Sequence, residues 1–310
     1  MSGKMNRRAF IAAAAICGMA RALEVDSDDA IRGILKQRID VEKRSVGMAV
    51  CVVTPERKRI VTWGRERLGD NRPVTSETLF EIGSITRIFT ALLLADMVRR
   101  GDIGLDDPVS RHLPGDFRLP LRDGHEITLA DLATHTSGLP RWPLPPSDVP
   151  PSQAEIDAAM RISLGDFKVW LANVHPQNPP SAGGWWYSNA GYALLALAMA
   201  YRGGKPYEAL LQARIIDPIG LRDTTYHPTA AMASHLAEGH DAALKSLPPT
   251  DVGIYIGAGG LHSTPRDLAR FAAAILGSSF TIAQDNQRLL TVRRAAPCGS
   301  AECRRWAGKC

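Results

Sequence analysis

Residues 80–90, Phe-Glu-Ile-Gly-Ser-Ile-Thr-Arg-Ile-Phe-Thr, constrain this 310-residue chain more than any other stretch. Gly83 lets the backbone turn sharply. Ser84, next in line, is a good helix N-cap because its hydroxyl can accept an orphan backbone N–H. Ile88, Phe89, Leu92, Leu93 and Ala95 then recur at three- and four-residue spacing, the mark of a helix. Arg99, Arg100 and Gly101 suit its C-terminus. The pattern predicts a buried helix that starts at a serine, with Arg87 one turn on along the same face.

Around that helix the chain alternates short strands and helices. Residues 28–40 read as an amphipathic helix with Ile31, Ile34, Leu35 and Ile39 on one side. Residues 46–54 and 59–63 read as a β-hairpin whose first strand is apolar enough to be central. Residues 127–134 form a short helix capped by Thr128, with Asp131 three residues on. Residues 154–162, 164–174, 193–201 and 207–216 read as further helices. Ser188 or Asn189 caps the third of these, and Asp217-Pro218 ends the last. Thr264-Pro265-Arg266-Asp267 opens a helix to about Leu276, with Thr264 as cap, Pro265 at the first position and Asp267 closing the box. Residues 142–152 hold five prolines and read as a stiff exposed loop.

The net charge of +5 is unevenly placed. Residues 1–22 carry +4 and residues 291–310 another +4, which leaves −3 for the body. Basic charge confined to two end segments gives no surface for nucleic acid. Residues 1–22 look like an export signal of the twin-arginine kind. Arg7-Arg8 precedes an apolar run too short to span a bilayer, and Ala20-Arg21-Ala22 follows as a cleavage site. The expected product is periplasmic, with no transmembrane anchor once the signal is cleaved. Cys17 leaves with the signal, Cys51 is a small core residue, and Cys298, Cys303 and Cys310 crowd into the tail. No cysteine pair has zinc-finger spacing, so no metal site is assigned. The body runs over residues 23–290. Residues 291–310 lack apolar periodicity and read as an irregular basic tail, or as sequence read out of frame.

A serine at a helix start is by itself only a cap, and a Tyr-x-Asn triplet fits any loop. Their order with two further stretches carries more weight. Residues 132–140 are Leu-Ala-Thr-His-Thr-Ser-Gly-Leu-Pro, residues 187–192 are Tyr-Ser-Asn-Ala-Gly-Tyr, and residues 259–268 are Gly-Gly-Leu-His-Ser-Thr-Pro-Arg-Asp-Leu. With residues 80–90, this set resembles the class C β-lactamases and their relatives, the D-alanyl-D-alanine carboxypeptidases, penicillin-binding proteins and serine esterases, from about residue 46 to residue 276. The resemblance implies an α/β (α+β) fold of the β-lactamase/transpeptidase kind: an antiparallel sheet flanked by helices, plus a helical subdomain. It implies a monomeric serine hydrolase that needs no cofactor. Ser84 attacks the carbonyl of a β-lactam, a D-Ala peptide of the cell wall or an ester, and an acyl-enzyme forms. Tyr187 matches the family tyrosine that shares the proton-acceptor work. Asn189 matches the residue that orients the substrate amide, having both donor and acceptor.

Two departures qualify that expectation. Arg87 stands where the family has lysine, and an arginine stays protonated and cannot act as a base. It can hold positive charge beside Tyr187, which then carries the base role alone. No Lys/His-Thr/x-Gly triplet follows Leu276, where the family has a strand that supplies an oxyanion-hole N–H. Losing one such donor costs about 100- to 1000-fold in rate. The resemblance therefore leads us to expect a domain without its C-terminal strands, less stable and weakly active. The alternative is an inert relative that at most binds cell-wall peptide. With the triplet absent, Arg87→Lys is expected to restore little. His135, His240 and His262 follow no Ser-His-Asp order and are not expected to be catalytic bases, and His135 is expected to hold a turn. The Gly257–Gly260 cluster lacks the Lys-Ser/Thr of a phosphate loop and reads as tight backbone.

Overall fold

A computed structural model describes residues 27–121, 124–145, 149–176 and 185–277. The expected signal segment 1–22, the tail 291–310, Cys17 and the three tail cysteines lie outside the described residues, as does part of the proline-rich loop. In chain order the main elements are α1 (Asp28–Lys36), β1 (Gly47–Val53), β2 (Lys58–Gly64), α2 (Thr86–Arg99), α3 (Leu129–Ala133), α4 (Gln153–Met160), α5 (Leu164–Asn173), α6 (Asn189–Gly203), α7 (Tyr207–Leu211), α8 (Asp217–Ile219), α9 (Ala230–Ala233), β3 (Gly239–His240), β4 (Ser246–Leu247) and α10 (Pro265–Leu276). The chain is thus mixed α/β, as expected. It divides into two compact units. One contains the described residues up to Phe80, His227–Pro249 and those from Ser263; the other contains Glu81–Tyr226 and Thr250–His262.

In the first unit β1 and β2 form the expected antiparallel hairpin, paired from Gly47↔Gly64 to Val53↔Lys58. Alternation sorts their side chains onto two faces. Met48, Val50, Val52, Val61 and Trp63 meet Ile31 and Leu35 of α1. Burying each large aliphatic side chain contributes about 1.5–3 kcal/mol. Ser27 caps α1 by accepting the Ala30 N–H at 3.0 Å. Asp28 pairs with Arg59 of β2 at 2.6 Å. Ile34, expected on the packed side, is 50% exposed: buried Ile31, Leu35 and Ile39 repeat every fourth residue, and Ile34 falls off that line. The opposite sheet face carries Cys51, whose thiol donates to the Pro265 carbonyl of α10 at 3.3 Å. Cys51 is half-buried rather than core, and burial pushes its thiol pKa up. Among the described residues β1 pairs with β2 alone, so it is half-buried along its length and not the central strand its composition suggests. Thr264 caps α10 and Pro265 sits in its first turn, as expected.

The first unit also buries a carboxylate that carries no signal in the sequence. Glu66 accepts the Thr78 hydroxyl at 3.0 Å and faces Arg72 at 3.5 Å. Its backbone carbonyl accepts the Glu238 N–H at 2.8 Å. One residue thereby ties three loop segments of this unit together.

The second unit is helical. Phe89, Leu93, Leu94 and Met97 of α2 are fully buried, and so are Ala193, Leu194, Leu195 and Met199 of α6. Helices that are apolar all round must be covered on all sides. α6 packs against α3, α7 and the 3₁₀ turn Gly253–Gly257, and α2 against α6, α7 and that same turn. Gly257 is needed there: a Cβ would stand 2.7 Å from both the Ala196 Cβ and the Tyr192 carbonyl oxygen. Its own carbonyl accepts the Thr90 hydroxyl of α2 at 2.7 Å. The glycine cluster is tight backbone, as expected.

The end of the 207–216 helix differs from expectation. Asp217-Pro218 does not end the 207–216 helix. After α7 the chain widens into a π-turn, Gln212–Ile216, and continues into α8, which stops at Gly220 with φ +74°. Pro218 falls in the first turn after the π-turn, where its missing N–H is not required. Among the described residues no helix is long and apolar enough to cross a membrane.

Candidate active site

Ser84 does not cap its helix. Gly83, at φ +48°, turns the chain into a 3₁₀ turn, Gly83–Ile85, and α2 begins only at Thr86. No side chain caps α2. The turn is pinned from behind, where the Ile82 N–H donates to the Leu261 carbonyl at 3.0 Å. Freed from capping, the exposed Ser84 hydroxyl lies 2.8 Å from the hydroxyl of Tyr187.

Tyr187 stands two residues before α6, and its neighbours in the chain fix it. The Trp186 N–H donates to the His135 carbonyl at 2.8 Å, and the Ser188 N–H donates to His135 Nδ1 at 3.1 Å. Ser188 caps α6 by accepting the Gly191 N–H at 2.8 Å and donates its hydroxyl to the Pro140 carbonyl at 2.8 Å. Asn189 donates its N–H to the Arg141 carbonyl at 3.1 Å. The loop that receives these bonds is itself rigid. Thr128 and Asp131 form the expected capping box at α3, and Asp131 also accepts the Thr136 hydroxyl at 2.9 Å.

Arg87 fills the space beside Tyr187. It is only 7% exposed, with its guanidinium 4.4 Å from the Tyr187 ring centre and 5.1 Å from that of Tyr192. Contacts of this kind are worth about 0.5–2 kcal/mol each. The guanidinium donates to Asn189 Oδ1, while Nε and Nη1 have no partner among the described residues. A second cation, Arg141, lies 5.2 Å from the Tyr187 ring centre. Burial pushes the Arg87 pKa down, against the attraction of Tyr187 and Tyr192. The group remains a cation at neutral pH.

Two neighbours of Arg87 are shifted. Burial raises Tyr192 to about 12, so it is a neutral phenol, and it donates to the Ala133 carbonyl at 2.9 Å. Burial first and then the Arg87 charge lower His135 to about 4. Its ring lies 4.7 Å from that of Tyr187 and 5.0 Å from that of Tyr192.

The four residues singled out from the sequence therefore meet in one unit. Ser84 touches Tyr187, Tyr187 stacks with Arg87, and Arg87 bonds to Asn189. Three contributors lie outside that expectation: His135, Arg141 and Tyr192. Two of them lie inside quoted stretches, His135 in Thr-His-Thr-Ser-Gly and Tyr192 at the end of residues 187–192, while Arg141 carries no signal. His135 does hold a turn, and it also reaches Tyr187. His240 lies 3.2 Å from Glu238 in the other unit, and His262 lies 4.0 Å from Glu81. Chemically, the arrangement offers a solvent-exposed hydroxyl, one oxygen close enough to exchange its proton, and a buried cation against the ring that bears that oxygen.

The Beta-lactamase family matches residues 26–302. Among curated proteins, the D-alanyl-D-alanine-carboxypeptidase/endopeptidase AmpH of Escherichia coli (strain K12) is 31% identical over 236 residues, which cover 76% of this chain and 59% of that protein. Esterase EstB of Burkholderia gladioli is 31% identical over 290 residues, 83% of this chain and 70% of the esterase. Among solved structures, a beta-lactamase/D-alanine carboxypeptidase from Yersinia pestis complexed with citrate superposes with a TM-score of 0.64 at 27% identity, covering 79% of this chain and 68% of that one. The chain thus spans 59% of the length of the carboxypeptidase it matches.

Proposed function

The chain belongs to the Beta-lactamase family, and on that premise we propose that it is a serine hydrolase of the penicillin-recognising type that works through an acyl-enzyme on Ser84. The observation that carries this reading is the 2.8 Å contact between the hydroxyls of Ser84 and Tyr187. Tyr187, acting as the general base, takes the Ser84 proton as the serine oxygen bonds to the substrate carbonyl carbon. The proton then passes to the leaving group, a nitrogen in a β-lactam or peptide and an oxygen in an ester, as its bond to the carbonyl breaks. Water, activated by Tyr187 in turn, releases the acyl group and restores the serine. Arg87 is a fixed cation beside this exchange and takes no proton. The substrate is a small-molecule β-lactam, a D-Ala peptide of the cell wall or an ester, and no cofactor takes part. The N-terminal segment fits export, so the proposed place of action is the bacterial periplasm, as a monomer. Turnover of a chromogenic β-lactam, a D-Ala-D-Ala peptide and an activated ester tests the reading. At least one is hydrolysed by the native chain and not by Ser84→Ala; hydrolysis that is the same in both removes it.

One observation favours a second reading, an inert relative that binds cell-wall peptide. Arg87 donates to Asn189 Oδ1, the acceptor a substrate amide would use. A peptide that binds without any hydrolysis, in a chain folded normally, supports this reading. Serine-dependent turnover of a chromogenic β-lactam removes it.

A further inference from the structure

We propose that His135 is the positioning residue of the site, holding Tyr187 against Ser84 by gripping the chain on both sides of the tyrosine. The proposal rests on the reading of Ser84 and Tyr187 as the reacting pair. Three contacts carry it. The His135 carbonyl takes the N–H of Trp186, the residue before Tyr187, at 2.8 Å. The ring nitrogen Nδ1 takes the N–H of Ser188, the residue after it, at 3.1 Å. The ring itself lies 4.7 Å from the Tyr187 ring.

A histidine that only shaped its own turn would spend its ring nitrogen within that turn. This one spends it 53 residues away along the chain. His135 also adopts φ +60°, a conformation that costs a residue with a Cβ and that only a few side chains tolerate. That backbone lets one residue present both its carbonyl and its ring to the same segment. The result is a tyrosine that is pinned on both sides and stacked, with its hydroxyl at a fixed distance from the serine. Small misplacements of a reacting group are costly: about 1 Å can lower a rate about 100-fold.

The grip requires a neutral ring. To accept from Ser188, Nδ1 must be bare, so the proton sits on Nε2. A second proton turns Nδ1 into a donor facing a donor, and the contact is lost. The charged and titratable groups facing the ring are Arg87 from α2, Tyr187 from the segment before α6, and Tyr192 from α6. Burial first, and then the Arg87 charge, oppose that second proton and keep the ring neutral down to about pH 4. Arg87 thereby protects the geometry of Tyr187 as well as standing beside it.

The test uses the full chain with ¹⁵N-labelled imidazoles, together with His135→Asn and His135→Leu. Asparagine tolerates positive φ and offers an acceptor oxygen in place of Nδ1. Leucine offers neither. At saturating p-nitrophenyl ester, His135→Asn should acylate within about threefold of the native rate at neutral pH and lack any loss tied to imidazole protonation, whereas His135→Leu should fall at least about tenfold. In the native chain the Ser188 amide resonance should move with the same midpoint as the His135 ring. A folded His135→Leu that acylates at the native rate, or a Ser188 amide indifferent to His135 protonation, overturns the proposal. A native chain that is not acylated at all overturns only the serine reading. The Tyr187 ring resonances then decide for His135: displaced in His135→Leu and kept in His135→Asn if it positions the tyrosine, unmoved in both if it does not. If His135→Leu does not fold, the native titration and His135→Asn decide the matter by the same criteria.

Discussion

The hydroxyls of Ser84 and Tyr187, 103 residues apart in sequence, stand 2.8 Å apart in the fold. The Ser84 hydroxyl is available for that contact because the 3₁₀ turn before α2 spares it from capping. The tyrosine is available because His135 and Ser188 fix its stretch of chain. Each part of this arrangement can be removed separately.

Tyr187→Phe keeps the ring between Arg87 and His135 and deletes only the oxygen that faces the serine. Acylation of Ser84 should fall about 100- to 10,000-fold, the range for loss of a general base. The melting temperature should change little, because the stacking surface remains. A variant acylated at the native rate would assign the proton transfer to another group.

The depressed pKa of His135 has a consequence for stability. Unfolded, the ring titrates near its ordinary value of 6.5; folded, at about 4. Between those values the unfolded chain binds the extra proton and the folded chain does not, so stability rises with pH across that window. Acidification from pH 6.5 to 4 should cost on the order of 3 kcal/mol from this residue. Denaturant melts of the native chain and of His135→Asn check it: the native midpoint falls more steeply with acid, and equal slopes would contradict the assignment.

Arg87→Met removes the charge and keeps an apolar side chain between the rings. Since the Arg87 charge is one of the two causes lowering the His135 pKa, the midpoint of the ring should move up toward its ordinary value. Histidine resonances followed through a pH titration read this directly, with a rise as the expected result and a fall as the contrary one.

Asp131 accepts from the Thr128 N–H at 3.0 Å, the Thr128 hydroxyl at 2.7 Å and the Thr136 hydroxyl at 2.9 Å. Asp131→Ala leaves the Thr128 cap on the residue 131 N–H but removes the return half of the α3 capping box and the brace of the loop that carries His135. The expected loss is about 1–3 kcal/mol in denaturant unfolding, with a lower acylation rate. Loss of stability with an unchanged rate would separate this brace from the site.

Much of this arrangement is legible in the sequence, and the gaps have physical reasons. The four-part order of motifs brings Ser84, Arg87, Tyr187 and Asn189 together, because each lies at the edge of a strongly patterned helix. The role of Ser84 as a cap is not borne out. Local preference favours a hydroxyl at a helix start, but the local signal does not include the tyrosine that competes for it. The helix end at Pro218 fails similarly: a π-turn shifts the hydrogen bonds so that proline fits. His135 is half legible. Its turn shows in its neighbours Thr134, Thr136 and Gly138, while the partner of its ring lies in a different segment. Tyr192 closes the 187–192 stretch, but its partners Ala133 and His135 lie in another segment. Arg141 meets Tyr187 and Asn189 only across the fold, and Glu66 is a lone acidic residue whose burial no local pattern announces.

Intact-mass measurement on the folded chain, incubated with a penicillin or an activated ester, bears most directly on the central claim. One covalent adduct per chain is expected, on the peptide that contains Ser84 and absent from Ser84→Ala. Folded protein that gains no mass, or an adduct that persists in Ser84→Ala, would contradict it.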